Sequence, residues 1–371
     1  MVRNDGRNRN RQVTEQRPLV RGLSATATHY TVEFDARTAY DFLVSLALGG
    51  VDAAELPADD QRWLHQARAA LPADVRAGTF VGDEEHEGVA SEVAGVVLAH
   101  PEVRDAAGLV AAIEAMPPRD VARALLRRTQ DAPDRAVEAD VERALGGDRE
   151  ASTAVEERMS SLVEGRSLTA LRAILRDPVG TAERLHLALR AWLEPFQSME
   201  DRVHRVLDRD IASRQADLAL PAGELIERTT GGIRFLPDPS VRRVVLAPSY
   251  FARPYNWVIA GQGWRLFCYP VADAALGEQG PWEAPSGTVL LYRALGDPQR
   301  LRILRLLADR DMYLTEIAQQ MELSKPTIKH HLAQLRAAGL VTVTDEGTMT
   351  YYTLRRERLD EAGTELRRYL S

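Results

Sequence analysis

The spacing of apolar positions divides the chain into three stretches. HYTVEFDA (29–36) alternates in the manner of a strand, and 37–48 follows with the spacing of an amphipathic helix closed by Gly49-Gly50. From 57 to 220 the apolar positions recur at helical intervals almost throughout. Pro-Ala-Asp and Pro-Pro-Arg-Asp starts fall near 57, 72 and 117, and dense apolar faces mark 168–175, 180–193 and 203–220. After Pro221 the pattern changes. GGIRFLP (231–237), VRRVVLAP (241–248) and YNWVIAGQGWRLFCYPV (255–271) are rich in β-branched and aromatic residues, and 260–263 (AGQG) predicts a hairpin turn. Residues 272–287 read as a linker punctuated by Gly and Pro.

The last stretch parses element by element. A short helix over 288–295 is followed by Asp297, an N-cap residue with Pro298 in the first turn, where a missing N–H costs nothing. Leu301, Ile303, Leu304, Leu306 and Leu307 give that second helix its core face. Thr315 is the expected cap of a third short helix carrying Ile317, Ala318 and Met321. Ser324 caps a fourth, over 325–338, stopped by Gly339. VTVT (341–344), a DEG turn (345–347) and MTYYTL (349–354) predict a hairpin, and a last helix carries Leu359, Leu366 and Leu370 on one stripe. Two helices joined by a tight turn and followed by a hairpin make a winged helix-turn-helix, a module that binds double-stranded DNA.

On a wheel of about 100° per residue, Ile328, Leu332 and Leu335 of the fourth helix fall within about 60° of one another and face the core. The opposite face presents Pro326, His330 and Gln334, flanked by Thr327 and Lys329, with the small Ala333 and Ala337 beside them. That face has donors for base edges and permits close approach to a groove floor. No acid occurs from 325 to 340. His331 lies near the core edge and reads as a packing histidine.

Composition sharpens this picture. Of 47 basic residues only Lys325 and Lys329 are lysines, four residues apart on this one helix. The net charge is −7; residues 1–25 balance at +4 and 286–371 at +2, which leaves −13 for 26–285. An acidic body with two mildly basic ends does not bind nucleic acid as a whole, so DNA binding must be local. Residues 1–25 read as a disordered basic arm. No apolar run is long enough to span a membrane, and no apolar segment follows the N-terminal arginines, so a cytoplasmic location is expected. Cys268 is the lone cysteine, which excludes an intramolecular disulfide and a multi-cysteine metal site.

LYRALGDPQRLRILRLLA, LTEIAQQMELSKPTIKHHLAQLRAAGLV and EGTMTYYTL, within 291–354, resemble the ArsR-type (arsenic-repressor-like) winged-helix family. The resemblance implies a homodimer that places the residues matching 324–334 in successive major grooves and the wing over the backbone. The usual output is repression relieved by an effector. Three departures matter. The family's metal-sensing members carry cysteines in the helix that here reads MYLTEI (312–317) and histidines on the last helix, and this chain has neither, so metal sensing through those sites is not expected. The glycine usual between the two central helices is Glu322. The acidic tip Asp345-Glu346 would be repelled by phosphate, so wing contacts are expected from Thr348, Tyr351 or Arg355. The expected DNA-binding set is thus Ser324, Lys325, Pro326, Thr327, Lys329, His330, Gln334, Thr348, Tyr351 and Arg355. Val289, Leu291, Leu359, Leu366 and Leu370, or the N-terminal domain, would form the dimer interface.

The long N-terminal region resembles that of large actinobacterial-type regulators with an uncharacterised N-terminal domain, a resemblance that supplies organisation and no ligand. Gly231-Gly232 and Gly261-x-Gly263 are too short for a phosphate or dinucleotide fingerprint, and no hydrolase or Walker pattern occurs. Residues 83–86 (DEEH) read as a solvated loop and Cys268 as an inert core thiol, so no catalytic residue, cofactor or metal is expected. Seven of the chain's 22 aromatic residues fall within 249–269. They serve as a sheet core, or Tyr250, Tyr255, Trp257, Trp264 and Tyr269 line an effector pocket, or they form a protein-interaction surface. The expected fold is α+β: a mostly helical N-terminal domain (26–271; helical 37–220, β-rich 229–271) with a small antiparallel sheet, a linker (272–287), and a winged helix-turn-helix (288–371).

Overall fold

The computed structural model describes residues 30–126, 135–160, 165–236, 238–277, 284–346 and 349–371. The basic arm, Thr348 and part of the linker lie outside the described residues.

In the first large body, a four-stranded sheet is packed by the main helices on one face and by the helix Ala222–Thr229 on the other. The strands are β1 (Thr31–Phe34), β3 (Arg243–Ser249), β4 (Trp257–Gly261) and β5 (Trp264–Pro270), in the order β1-β3-β5-β4. β1 pairs parallel with β3 and β3 parallel with β5; only the β4–β5 hairpin is antiparallel. The sheet is therefore mixed, not antiparallel as its hairpin signal implied. Parallel neighbours need a crossover, and the helices between 38 and 229 supply one from β1 to β3. The continuous apolar run VVLA is a signature of a strand covered on both faces, and β3 is buried from Val244 to Ser249.

The principal helix, Pro178–Ser213, packs against helices Thr38–Ala47, Ala106–Glu114 and Pro118–Leu125. It runs unbroken through Pro195, joining the apolar face at 180–193 to the one that begins at 203 in a single helix. A proline there forfeits one backbone bond. Burial on both sides offsets the loss: Trp192 and Phe196 are fully enclosed, Phe196 lies edge-to-face with Phe42 at 5.4 Å, and the Trp192 indole donates to Ser45 Oγ at 2.9 Å.

Buried carboxylates join the helices to the sheet. Asp41 accepts from the Ser249 hydroxyl and from the N–H groups of Tyr250 (2.8 Å) and Phe251 (3.1 Å). Asp210 accepts from Tyr269 Oη and the N–H of Ala272, both at 2.8 Å, and pairs with Arg214. Asp60 accepts from Tyr250 Oη at 2.7 Å and from Arg253 at 2.6 Å. Each carboxylate has the donors a buried charge requires.

A separate apolar core forms within residues 291–352. Helices Ser286–Leu295, Pro298–Asp309, Leu314–Met321 and Lys325–Ala337 precede β7 (Val341–Glu346) and β8 (Met349–Leu354), and helix Arg356–Leu370 ends the chain. A short β6 (Met312–Tyr313) pairs with β8. The fourth strand of this sheet comes from the other body. β2 (Ile233–Arg234), from the GGIRFLP run, lies parallel to β7, giving the order β2-β7-β8-β6.

Candidate nucleic-acid interface

The helix Lys325–Ala337 is set by its ends and by its apolar stripe. Ser324 Oγ accepts from the N–H of Thr327 at 3.3 Å and Pro326 sits in the first turn. Gly339, at φ 73°, takes the left-handed position beyond the last turn. Ile328, Leu332 and Leu335 are fully buried, as the wheel requires. Asp297 caps the helix Pro298–Asp309 through the N–H groups of Gln299 and Arg300. The Arg300 guanidinium turns back onto the carbonyls of Arg293 (2.7 Å) and Ala294 (3.0 Å), which closes the end of the first helix. One cap differs from the sequence reading: the third helix begins at Leu314, and Glu316 accepts from the N–H of Tyr313 at 2.9 Å, so Thr315 lies inside the helix. Between the third and fourth helices Glu322 adopts φ 57°, the left-handed region that usually selects glycine.

Ser324, Lys325, Pro326, Thr327 and Lys329 are exposed at the N-terminal half of the helix Lys325–Ala337. His330 and Gln334, on the same face one and two turns later, are half-buried. Gln334 Nε2 lies 3.0 Å from His330 Nε2 and donates to Glu55 Oε1 at 3.2 Å. Burial first, and the neighbouring His331 second, hold the His330 imidazole below its usual range, with Glu55 opposing. In the wing, Tyr351 stacks on Tyr313 at 3.9 Å between ring centres and is half-buried. Arg355 follows β8, its N–H donating to Leu340 O at 2.9 Å. The structure therefore brings the helix residues onto one face and leaves Tyr351 midway along β8 and Arg355 at the base of the hairpin.

The module thus has a helix-turn-helix with matching caps, an acid-free helix carrying both lysines, and a wing. The family model described as bacterial regulatory protein, arsR family, matches residues 297–343. An uncharacterised HTH-type transcriptional regulator from Methanocaldococcus jannaschii is 40% identical over 72 residues, 19% of this chain and 81% of that protein. The transcriptional repressor SdpR of Bacillus subtilis is 39% identical over 64 residues, 17% of this chain and 71% of that protein. The transcriptional activator HlyU of Vibrio cholerae is 38% identical over 66 residues, 18% of this chain and 61% of that protein. The chain belongs to the ArsR family. Its C-terminal module is a DNA-binding module of transcriptional regulators, and the relatives are regulators, not enzymes. The matches cover only that module of an ArsR-type chain several times its length.

Of the five aromatics singled out as pocket candidates, Tyr250 and Tyr269 are core residues whose hydroxyls are engaged by Asp60 and Asp210. The Tyr250 ring lies between the guanidinium groups of Arg202 and Arg253. Trp264 packs against the helical core. Tyr255 and Trp257 line an opening between the two bodies. This cleft of about 590 Å³ is lined on one side by Asp52, Glu87 and Glu92 and on the other by Lys329, His330 and Arg336. The acidic side went unnoticed in the sequence because Asp52, Glu55 and Glu87 are ordinary surface residues by pattern; the excess of negative charge over 26–285 was the available signal. Leu291, offered as a dimer contact, is fully buried in the module core. Its place one turn from Ala294 turns it inward, whereas Val289 and Tyr292 point out.

Among the described residues no group of three His, Cys, Asp or Glu side chains could hold a metal, and no helix is long and apolar enough to cross a membrane.

Proposed function

We propose that the protein is a sequence-specific transcriptional regulator, acting as a repressor, that binds a pseudo-palindromic operator as a homodimer and takes its regulatory input through the N-terminal domain. The face of the reading helix carries the proposal: Lys325 and Lys329 at its exposed start hold phosphates, while Thr327, His330 and Gln334 meet base edges. Thr348, Tyr351 and Arg355 add backbone contacts from the wing. SdpR is named a repressor and HlyU an activator; the repressor reading follows SdpR and the family's usual output, and an N-terminal domain of some 240 residues leaves ample surface for a small-molecule or protein effector.

Selection from random duplexes followed by binding at several salt concentrations tests the reading. Lys329→Ala should weaken binding to every sequence alike and lower the magnitude of the salt slope by about one. His330→Ala or Gln334→Ala should cost about 1–3 kcal/mol on the selected operator and relax its preference at one position. Wild-type affinity and selectivity in both of the latter variants would remove this face from the groove.

A further inference from the structure

We propose that the N-terminal domain is a built-in competitor of DNA, its acidic surface docking on the reading helix so that a duplex can enter only when the two bodies separate. The inference rests on the assignment of that helix as the DNA reader.

The geometry is specific. Glu55, just past the short helix Gly50–Ala54, has a side chain only 8% exposed, and among the described residues the partners of its carboxylate lie in the other body. It takes a fork from Arg293 of the winged-helix module, at 2.7 and 3.3 Å, and the side-chain N–H of Gln334. Gln334 in turn holds His330, so one carboxylate engages two residues of the reading face. Asp52 stands one helical turn before Glu55, and the charges of Arg336 and Lys329 act on it. Burial, reinforced by Glu87, pushes its carboxyl up to about 7 in spite of those cations. The wing is engaged as well: Val343 N–H donates to Gly232 O at 2.8 Å, and Ile233, whose side chain is anchored among Leu225, Ile226, Phe267 and Tyr269, pairs with Val343.

This arrangement and a bound duplex exclude each other. A helix with its side chains is about 10–12 Å across and a B-form major groove about 12 Å wide, so the groove must take the whole face. Here His330, Ala333, Gln334 and Arg336 are half-covered by protein, and Pro326 and Lys329 line the cleft. The Glu55 carboxylate pairs with Arg293, and Asp52, Glu87 and Glu92 line the same cleft as Lys329 and Arg336, a set of negative charges that repels DNA. Apparent affinity for DNA is then the intrinsic affinity reduced by the fraction of undocked molecules.

The test uses the full chain and reads docking and DNA binding separately. Ala333→Cys places a thiol in the cleft, while Cys268, fully buried and with its thiol pushed up by burial, stays silent to maleimide. Adding Glu55→Arg, which sets two arginines against each other, should speed labelling of that thiol about tenfold, and Glu55→Arg alone should tighten binding to duplex DNA by a similar factor. The charge swap Glu55→Arg with Arg293→Glu should restore slow labelling and weak binding, which separates loss of docking from loss of folding. Equal labelling rates in all backgrounds, with DNA bound by the wild type, would overturn the inference and leave the DNA-reading assignment standing. Faster labelling with unchanged affinity would overturn it too, because docking would then not compete. If no form binds any duplex while labelling still responds, the competition falls together with the DNA reading itself.

Discussion

Asp41 shows how a single side chain can hold two layers of the fold together. Its carboxylate, fully buried, is the acceptor for the Ser249 hydroxyl and two consecutive N–H groups at the turn after β3. Burial pushes its carboxyl up to about 6, with those three donors pulling the other way. Asp41→Ala strands the donors in the core, at about 1–3 kcal/mol of lost stability near neutral pH. The pH dependence has a definite sign. The folded state binds this proton more tightly than the unfolded chain, whose carboxyl titrates near 3.8, so the contribution of Asp41 to stability is largest at low pH and falls as pH rises through about 6. Urea unfolding of wild type and variant at pH 5 and pH 7.5 should therefore show a wider gap at pH 5. A gap that narrows at pH 5 would mean that the carboxylate is stabilised, not penalised, by its site. Nothing in the sequence marked this residue, because a partner some 200 positions away has no local signature.

At the scale of elements, the winged helix-turn-helix was legible almost to the residue because its signals are local: caps at Asp297 and Ser324, the stop at Gly339, the stripe Ile328, Leu332 and Leu335. The β-rich stretch was legible in kind but not in pairing, since β1 and β3 meet across the whole helical region and β2 leaves its neighbours for the wing. Non-local pairing follows from packing, which spacing does not encode. Glu322, a non-glycine residue in the left-handed region, departs from the module's local rules. A left-handed non-glycine residue costs roughly 1–2 kcal/mol, and the freedom glycine has in the unfolded chain takes back up to about 1 kcal/mol. Glu322→Gly should therefore stabilise the module by about 0.5–1 kcal/mol, read as a rise in its thermal midpoint. A fall would show that the Glu322 side chain makes a contribution larger than its backbone strain.

For the whole molecule, symmetry follows from which apolar groups the two bodies leave uncovered. Helices Ser286–Leu295 and Arg356–Leu370 pack together, with Tyr292 Oη donating to Ala362 O at 3.1 Å and Thr288 facing Glu365. Their outer side presents Val289 (48% exposed), Tyr292, Leu359 and Leu370 (72% exposed), while the docked N-terminal domain lies against the reading helix instead. Large apolar groups clustered on two adjoining helices are a surface for burial, and a two-fold partner offers the same surface in return. In the proposed dimer, docking and dimerisation would use different faces of one module, so both reading helices could be held covered or released together. Val289→Asp combined with Leu359→Asp should convert the protein to a monomer in sedimentation equilibrium. It should leave half-site contacts intact and weaken the full operator by at least an order of magnitude, through loss of the second module's effective concentration. If the double variant remains dimeric, the two-fold contact lies in the N-terminal domain. A wild-type protein that occupies an asymmetric site as a single copy would end the dimer proposal altogether.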